Sequence, residues 1–247
     1  MINKELTKCL KALHLPAVRE CYQEIANVAV NDSLSYEQFL LTLMERELHS
    51  RYENRKRRYL KNSKLPLEKI LSTFNRKRLP EKVNNLVTAL LSGQFIENCE
   101  NILAFGNPGS GKTHLLCAIG NELIHQGKQI LFSPCNLLVQ NLLIAKRDLK
   151  LSRYLKKLSK YDAIIIDDIG YVQQSREEME VLFTLLADRF ERTSIMLTSN
   201  LPFSKWEKIF KDPMTTAAAI DRLVHHSVIL ELNLPSYRLE KSIEKKT

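Results

Sequence analysis

Eight consecutive residues, Gly106-Asn107-Pro108-Gly109-Ser110-Gly111-Lys112-Thr113, have the types and spacing to hold a nucleoside triphosphate. They fit G-x-x-x-x-G-K-[ST], a loop in which backbone N–H groups converge on phosphate oxygens. Such a backbone must turn tightly with no Cβ in the way, and Gly106, Gly109 and Gly111 are three of only seven glycines in the chain. Lys112 supplies a point charge for the β- and γ-phosphates, and the Thr113 hydroxyl is suited to ligate Mg²⁺. The flanks agree. Asn101 to Phe105 reads as a buried strand, and His114 to Ile124 as an apolar helix whose N-terminus adds partial positive charge at the phosphates. ATP and Mg²⁺ are the expected cofactors.

Other polar groups could serve this loop. Ala163-Ile-Ile-Ile-Asp167-Asp168 ends an apolar strand in two carboxylates, at the edge of a sheet where α/β ligands bind. Asp167 would hold Mg²⁺, directly or through water, and Asp168 would orient or deprotonate the attacking water. Taken alone, a polar turn after a strand reads the same way. Ser194-Ile-Met-Leu-Thr198-Ser199-Asn200 repeats the pattern. Asn200 is suited to contact the γ-phosphate or the lytic water, with a helix cap before Leu201-Pro202 as the alternative. Arg222 falls on a short helix beyond the core, where an arginine could reach a phosphoryl group bound by a neighbouring subunit. A salt bridge to Asp221 or Glu231 competes with that role. His225-His226 resemble a metal pair, but adjacent helical residues point apart and no other ligand is expected beside them.

These groups need a scaffold, and the pattern from Asn101 onward supplies one. Strands are expected at 101–105, 129–133, 162–167, 194–198 and 227–232. Helices are expected at 112–125, 136–146, 151–159, 176–191, 204–210 and 215–225. Alternation of two-sided apolar strands with helices predicts an α/β fold, a parallel sheet covered by helices on both faces. Before it, residues 1 to about 30 read as helix interrupted at Pro16. Ser35-Tyr-Glu-Gln38 reads as a capping box opening a longer helix whose apolar positions are Tyr36, Phe39, Leu40, Leu43, Met44, Leu48 and Tyr52. Lys64-Leu-Pro66 ends that helix, and Leu67 to Leu71 and Pro80 to Leu91 read as further helix. The organisation expected is a small all-helical domain over 1–85 and an ATPase domain over 86–247. Arg238 to Lys246 reads as a basic tail.

Charge is concentrated. Between Arg46 and Lys82 stand thirteen Lys/Arg against four Glu, which accounts for the whole formal charge of +9. Within that block Arg51, Arg55 and Arg58 share one side of the long helix, with Lys56, Arg57 and Lys61 as basic neighbours. A basic block beside a neutral domain is the footprint of a phosphate-backbone binder, and double-stranded DNA is the expected partner. A solvated helix with pairs such as Glu47–Arg51 and Glu53–Arg57 is the competing reading. No run approaches the roughly 20 apolar residues of a membrane helix. The five cysteines form no C-x-x-C pair, so a reducing, cytoplasmic location is expected.

Taken together, these residues resemble a known family. Gly106–Thr113 followed by His114-Leu115, Ile166-Asp-Asp-Ile-Gly-Tyr171, Arg189-Phe-Glu-Arg192, Leu197-Thr-Ser-Asn-Leu-Pro-Phe-Ser-Lys-Trp206, Ala219-Ile-Asp-Arg-Leu-Val-His-His226 and Ser236-Tyr-Arg-Leu239 look like the IstB-type helper ATPases of insertion-sequence transposons. Those are P-loop AAA+ ATPases similar to bacterial replicative helicase loaders. The resemblance implies an ATP-dependent homo-oligomer that assembles on target DNA and directs or stimulates a transposase; a helicase-loader adaptor is the alternative. It implies that His114 joins the nucleotide site and that Asn200 is a sensor. It also favours Arg222 as the trans-acting arginine, with Arg189 and Arg192 as competitors. Where such proteins usually carry Glu, this chain has Asp168, so slow hydrolysis is expected.

Overall fold

The computed structural model describes residues 2–170, 175–210, 212–237 and 240. Tyr171, Arg238 and Leu239 of the family-like segments lie outside the described residues, as does the basic tail apart from Glu240. By compactness the chain divides into Met1–Arg58 and Tyr59–Thr247.

The first unit holds α1 (Ile2–Ala12), α2 (Pro16–Asn31) and most of α3 (Tyr36–Ser63). Ser35 and Gln38 exchange the two hydrogen bonds of the capping box, at 3.2 and 2.9 Å. The small core is Leu10, Val18, Ile25 and Leu43, flanked by Phe39 and Met44. Tyr36, Leu40 and Leu48, expected on the same apolar face, are exposed. A polar device fastens the helices. The buried Glu47 carboxylate on α3 accepts from the Ala17 and Val18 N–H groups, capping the first turn of α2. Arg51, one turn on, donates to Glu47 at 2.8 Å and to the His14 carbonyl oxygen at 2.6 Å.

The second unit is built on one parallel sheet of five strands in the order β2-β3-β4-β1-β5. In chain order these are β1 (Asn101–Gly106), β2 (Ile130–Pro134), β3 (Ala163–Ile169), β4 (Ser194–Ser199) and β5 (Ser227–Leu232). Alternate residues face opposite layers. Ile102, Ala104, Ile165 and Met196 pack under α6 (Lys112–His125), together with α4 (Glu81–Leu90) and α5 (Gln94–Glu97). Leu103, Ile164, Ile166 and Leu197 pack under α7 (Cys135–Arg147), α8 (Leu151–Leu158), α9 (Arg176–Arg189) and the short α10 (Glu207–Phe210) and α11 (Pro213–Val224). β1 to β4 are buried on both faces, as a parallel sheet requires, while the edge strand β5 buries Leu230 and Leu232 and leaves Ile229 and Glu231 exposed.

Three local differences from expectation have physical causes. β3 runs on through both aspartates, because its pairing with β4 resumes at Ile169–Ser199 after a bulge between Ile166 and Ile169. Leu67 to Leu71 is not an α-helix: the Thr73 hydroxyl lies within hydrogen-bond distance of the Glu68 and Ile70 carbonyl oxygens, and the chain makes only 3₁₀ turns at Leu71–Thr73 and Arg76–Arg78. Residues 59–85, placed by sequence with the helical domain, pack into the second unit instead. Tyr59, Leu60, Leu65, Leu79 and Val83 belong to the same core as α6.

Candidate nucleotide-binding site

β1 delivers the phosphate loop to the carboxyl edge of the sheet, and the loop's conformation is one only glycine supplies. Gly111 caps α6 at φ 100°, and a Cβ on Gly106 would overlap the Leu232 carbonyl oxygen across the β1–β5 pair. Lys112 is 4% exposed, and its Nζ donates to the Gly106 and Asn107 carbonyl oxygens at 2.8 and 2.9 Å. It also donates to Asn200 Oδ1 at 2.5 Å. The loop lysine and the residue read as a sensor are therefore in direct contact, although 88 positions separate them.

A second network joins α6 to β3 and β4. Thr113 Oγ1 donates to Asp167 Oδ1 at 2.7 Å, and Thr198 Oγ1 donates to the same oxygen at 2.7 Å. The Asp168 N–H in turn donates to Thr198 Oγ1 at 2.8 Å. Thr198 thus locks both carboxylate-bearing positions. Sequence reading placed it only as part of a strand, and its polarity at a fully buried position was the available signal. The bulge sets Asp168 at φ 59°, a left-handed backbone that aspartate tolerates better than most residues. Its exposed carboxylate then faces the cavity while Asp167 stays with Thr113.

The cavity measures about 360 Å³. Pro108, Gly109 and the run from Gly111 to His114 line it, Asp168 and Asn200 border it, and Lys69 and Tyr237 complete the wall. Ser110 Oγ, inside the loop, is buried with no hydrogen-bond partner among the described residues, and Ser110 lines an adjoining pocket with Thr73, Phe74 and His114 rather than this cavity. Thr113 and Asp167 offer the hard oxygen donors that Mg²⁺ prefers. His114 does more than border the cavity. Its Nε2 lies 3.0 Å from Thr73 Oγ1 and 3.2 Å from the Ile70 carbonyl oxygen, and its ring meets Phe74 edge-on at 5.3 Å. On the other side Tyr237 N–H donates to the Gly109 carbonyl oxygen at 3.0 Å. Burial pushes the Cys117 thiol on α6 up to about 12, which makes it an inert core group.

The arginine candidates separate clearly. Arg189 is 1% exposed and donates to the carbonyl oxygens of Leu158, Tyr161 and Ser194, at 3.1, 3.0 and 3.0 Å. Burial lowers its pKa to about 10. It is a staple inside its own chain and is removed from the trans-acting candidates. Arg222, on α11, donates to the Ala218 carbonyl oxygen at 3.0 Å and lies 4.6 Å from the Phe183 ring centroid. It does not line its own chain's cavity. Arg192 is exposed.

The basic candidates also divide. Arg55, Arg57, Arg58 and Lys61 are exposed on α3. Arg51 is engaged by Glu47 and His14, and Lys56 pairs with Glu53 at 2.8 Å. In the second unit Arg76 is spent on Asn84 and Thr88, and Arg78 on Pro235 and Glu240. A basic groove that sequence reading missed lies along α7 and α8, lined by Lys150, Arg153, Tyr154, Lys156, Lys157 and Lys160 together with Asp148, which pairs with Lys150 at 3.4 Å. The two histidines need a correction. Glu191, from the turn after α9, does stand beside His225 and His226, with ligand atoms within 4.8 Å of one another and all three residues exposed.

With this geometry in view, comparison with known proteins is direct. The family described as IstB-like ATP binding protein matches residues 8–245. An insertion sequence ATP-binding protein of Sinorhizobium fredii is 40% identical over 96% of this chain and 80% of its own length. The insertion sequence IS21 ATP-binding protein of Pseudomonas aeruginosa is 35% identical over 96% of this chain and 89% of its own length. Among solved structures, the DnaC helicase loader superposes with a TM-score of 0.56 at 16% identity, over 67% of this chain and 97% of that one. AMPPCP-bound DnaA from Aquifex aeolicus superposes with a TM-score of 0.55 at 21% identity, over 74% of this chain and 55% of that one. The phosphate loop, the threonine-anchored Asp167 and the Lys112–Asn200 contact thus sit on an AAA+ fold, and the chain belongs to the IstB-like ATP-binding protein family.

Proposed function

We propose that this ATPase is a transposition helper: it assembles on double-stranded DNA when it binds Mg²⁺ and ATP, and in that form directs or stimulates a transposase. The observation that carries the reading is the convergence of Lys112, Thr113, Asp168 and Asn200 around one cavity, with Asp167 bonded to Thr113 beside it, in a chain whose relatives are named as insertion-sequence proteins. Thr113 and Asp167 would hold Mg²⁺, which neutralises charge on the β- and γ-phosphates. Lys112 and the loop N–H groups bind and orient the same phosphates. Asp168 accepts a proton from the attacking water, and Asn200 hydrogen-bonds that water or the γ-phosphate. Arg222, which does not line its own chain's cavity, would act on the site of a neighbouring subunit, and turnover would then require assembly.

For DNA, the exposed Arg55, Arg57, Arg58 and Lys61 supply phosphate contacts, which position a protein without reading sequence. The α7–α8 groove adds a second basic surface. The deciding experiment is ATPase rate with and without duplex DNA, together with particle size in ATP and in ADP. DNA-stimulated turnover and a larger ATP-bound species support the reading. A monomeric ATPase indifferent to DNA would instead favour a helicase-loader adaptor.

A further inference from the structure

The connector between α3 and α4 contributes a side chain to the cavity that no motif announces. Lys69 lines the cavity with Lys112, Thr113, Asp168 and Asn200 and is half-buried there. Among the described residues its ammonium makes no hydrogen bond or ion pair. The backbone that carries it is pinned to the phosphate-loop helix. Ile70 O and Thr73 Oγ1 both meet His114 Nε2, and Phe74 packs 3.2 Å from where a Gly111 Cβ would stand. Residue 69 immediately precedes this anchor, so its side chain is delivered by fixed backbone.

Charge balance indicates what the ammonium serves. Lys112 and Lys69 together offset Asp167 and Asp168. Without Lys69 these side chains would present net negative charge to a triphosphate that stays negative even with its Mg²⁺. Its place along the ligand follows from the groups that share its wall: Asp168 and Asn200, which stand where the terminal phosphate and the attacking water would meet, line the same cavity as Lys69.

We infer that Lys69 is a second ammonium for the γ-phosphate of bound ATP and sets the preference of the site for ATP over ADP. This rests on the phosphate-loop site described above. The test is equilibrium binding of fluorescent ATP and ADP, each with Mg²⁺, to the full chain carrying Lys69→Gln, Lys69→Arg or Lys112→Ala. Lys69→Gln keeps the aliphatic stem and the anchored backbone, so its melting temperature without nucleotide should match the parent. A charged hydrogen bond corresponds to about a ten- to hundredfold loss for ATP, with less than about a threefold change for ADP. Lys69→Arg should restore most of the ATP affinity. Equal weakening of both nucleotides, or of neither, overturns the role of Lys69 while a nucleotide-dead Lys112→Ala keeps the loop assignment intact. Parental affinity in Lys112→Ala overturns the loop assignment, and the inference with it.

Discussion

At the residue scale, two charged groups with different tasks lie in one cavity. Lys112 Nζ is held by three oxygens at the centre of the loop, whereas the Asp168 carboxylate stands exposed at its rim. Lys112→Ala is expected to weaken ATP binding by about two orders of magnitude or more, since it removes the loop's side-chain charge from the β- and γ-phosphates. Asp168→Asn is nearly isosteric and keeps the N–H bond to Thr198. It should leave ATP affinity within a few-fold of the parent and lower kcat by about a hundredfold or more. Binding and single-turnover measurements on both variants check this. Parental turnover in Asp168→Asn would show that another group activates the water.

At the element scale, two buried polar devices hold helices and strands in place. Arg189 ties the end of α8 to the starts of β3 and β4 through three carbonyl oxygens. Arg189→Met strands those acceptors and should cost at least about 3 kcal/mol, read as a lower urea midpoint with an unchanged slope. The second device is pH-sensitive. Burial opposes ionisation of Glu47, but the Arg51 guanidinium and the Val18 and Ala17 N–H groups outweigh it and hold its carboxyl below the usual 4.5. A group lowered on folding contributes stability that is fully present above its unfolded value and lost as pH falls through the folded one. Protection of the Ala17 and Val18 amides from hydrogen exchange should therefore drop below about pH 4.5, and Glu47→Gln should flatten that dependence. A pH-independent parent would remove Glu47 as the clamp. Arg51 belongs to this device, so its replacement is expected to loosen α2 as well as remove charge.

At the scale of the whole molecule, the expected behaviour is collective. With Arg222 outside its own cavity, mixing Arg222→Ala with Lys112→Ala subunits should restore part of the ATPase activity that each lacks alone, and activity per chain should rise with concentration. Restoration by Arg192→Ala instead of Arg222→Ala would move the trans-acting role. For DNA, Gln at Arg55, Arg57 and Arg58 keeps helix propensity and leaves Arg51 on its clamp. Each lost phosphate contact should reduce the slope of log K against log salt by roughly one, nearly equally on unrelated sequences. An unchanged slope would exclude this helix from the DNA contact. ATP affinity should survive in the same variant, since Arg55, Arg57 and Arg58 lie outside the unit that carries the loop.

What could be read directly from the sequence was whatever depends on spacing along the chain. The phosphate loop, the strand–loop–helix around it, the five parallel strands and the Ser35–Gln38 cap follow from local backbone demands and apolar periodicity, both written into consecutive residues. The tertiary structure decided what depends on groups far apart in the chain. Arg76 and Arg78 look like free cations until their acceptors are seen on other segments, the His14 carbonyl joins Arg51 only in the fold, and Arg189 looks like a reactive arginine until it is found buried. Glu191 joins His225 and His226 only because the turn after α9 meets the end of α11. Thr198 reaches Asp167 because β3 bulges beside β4, and residues 59–85 join the ATPase core because their apolar side chains find α6. Hydrogen bonds and burial act over a few ångströms whatever the separation in sequence, so the partner of a polar side chain is a property of the fold.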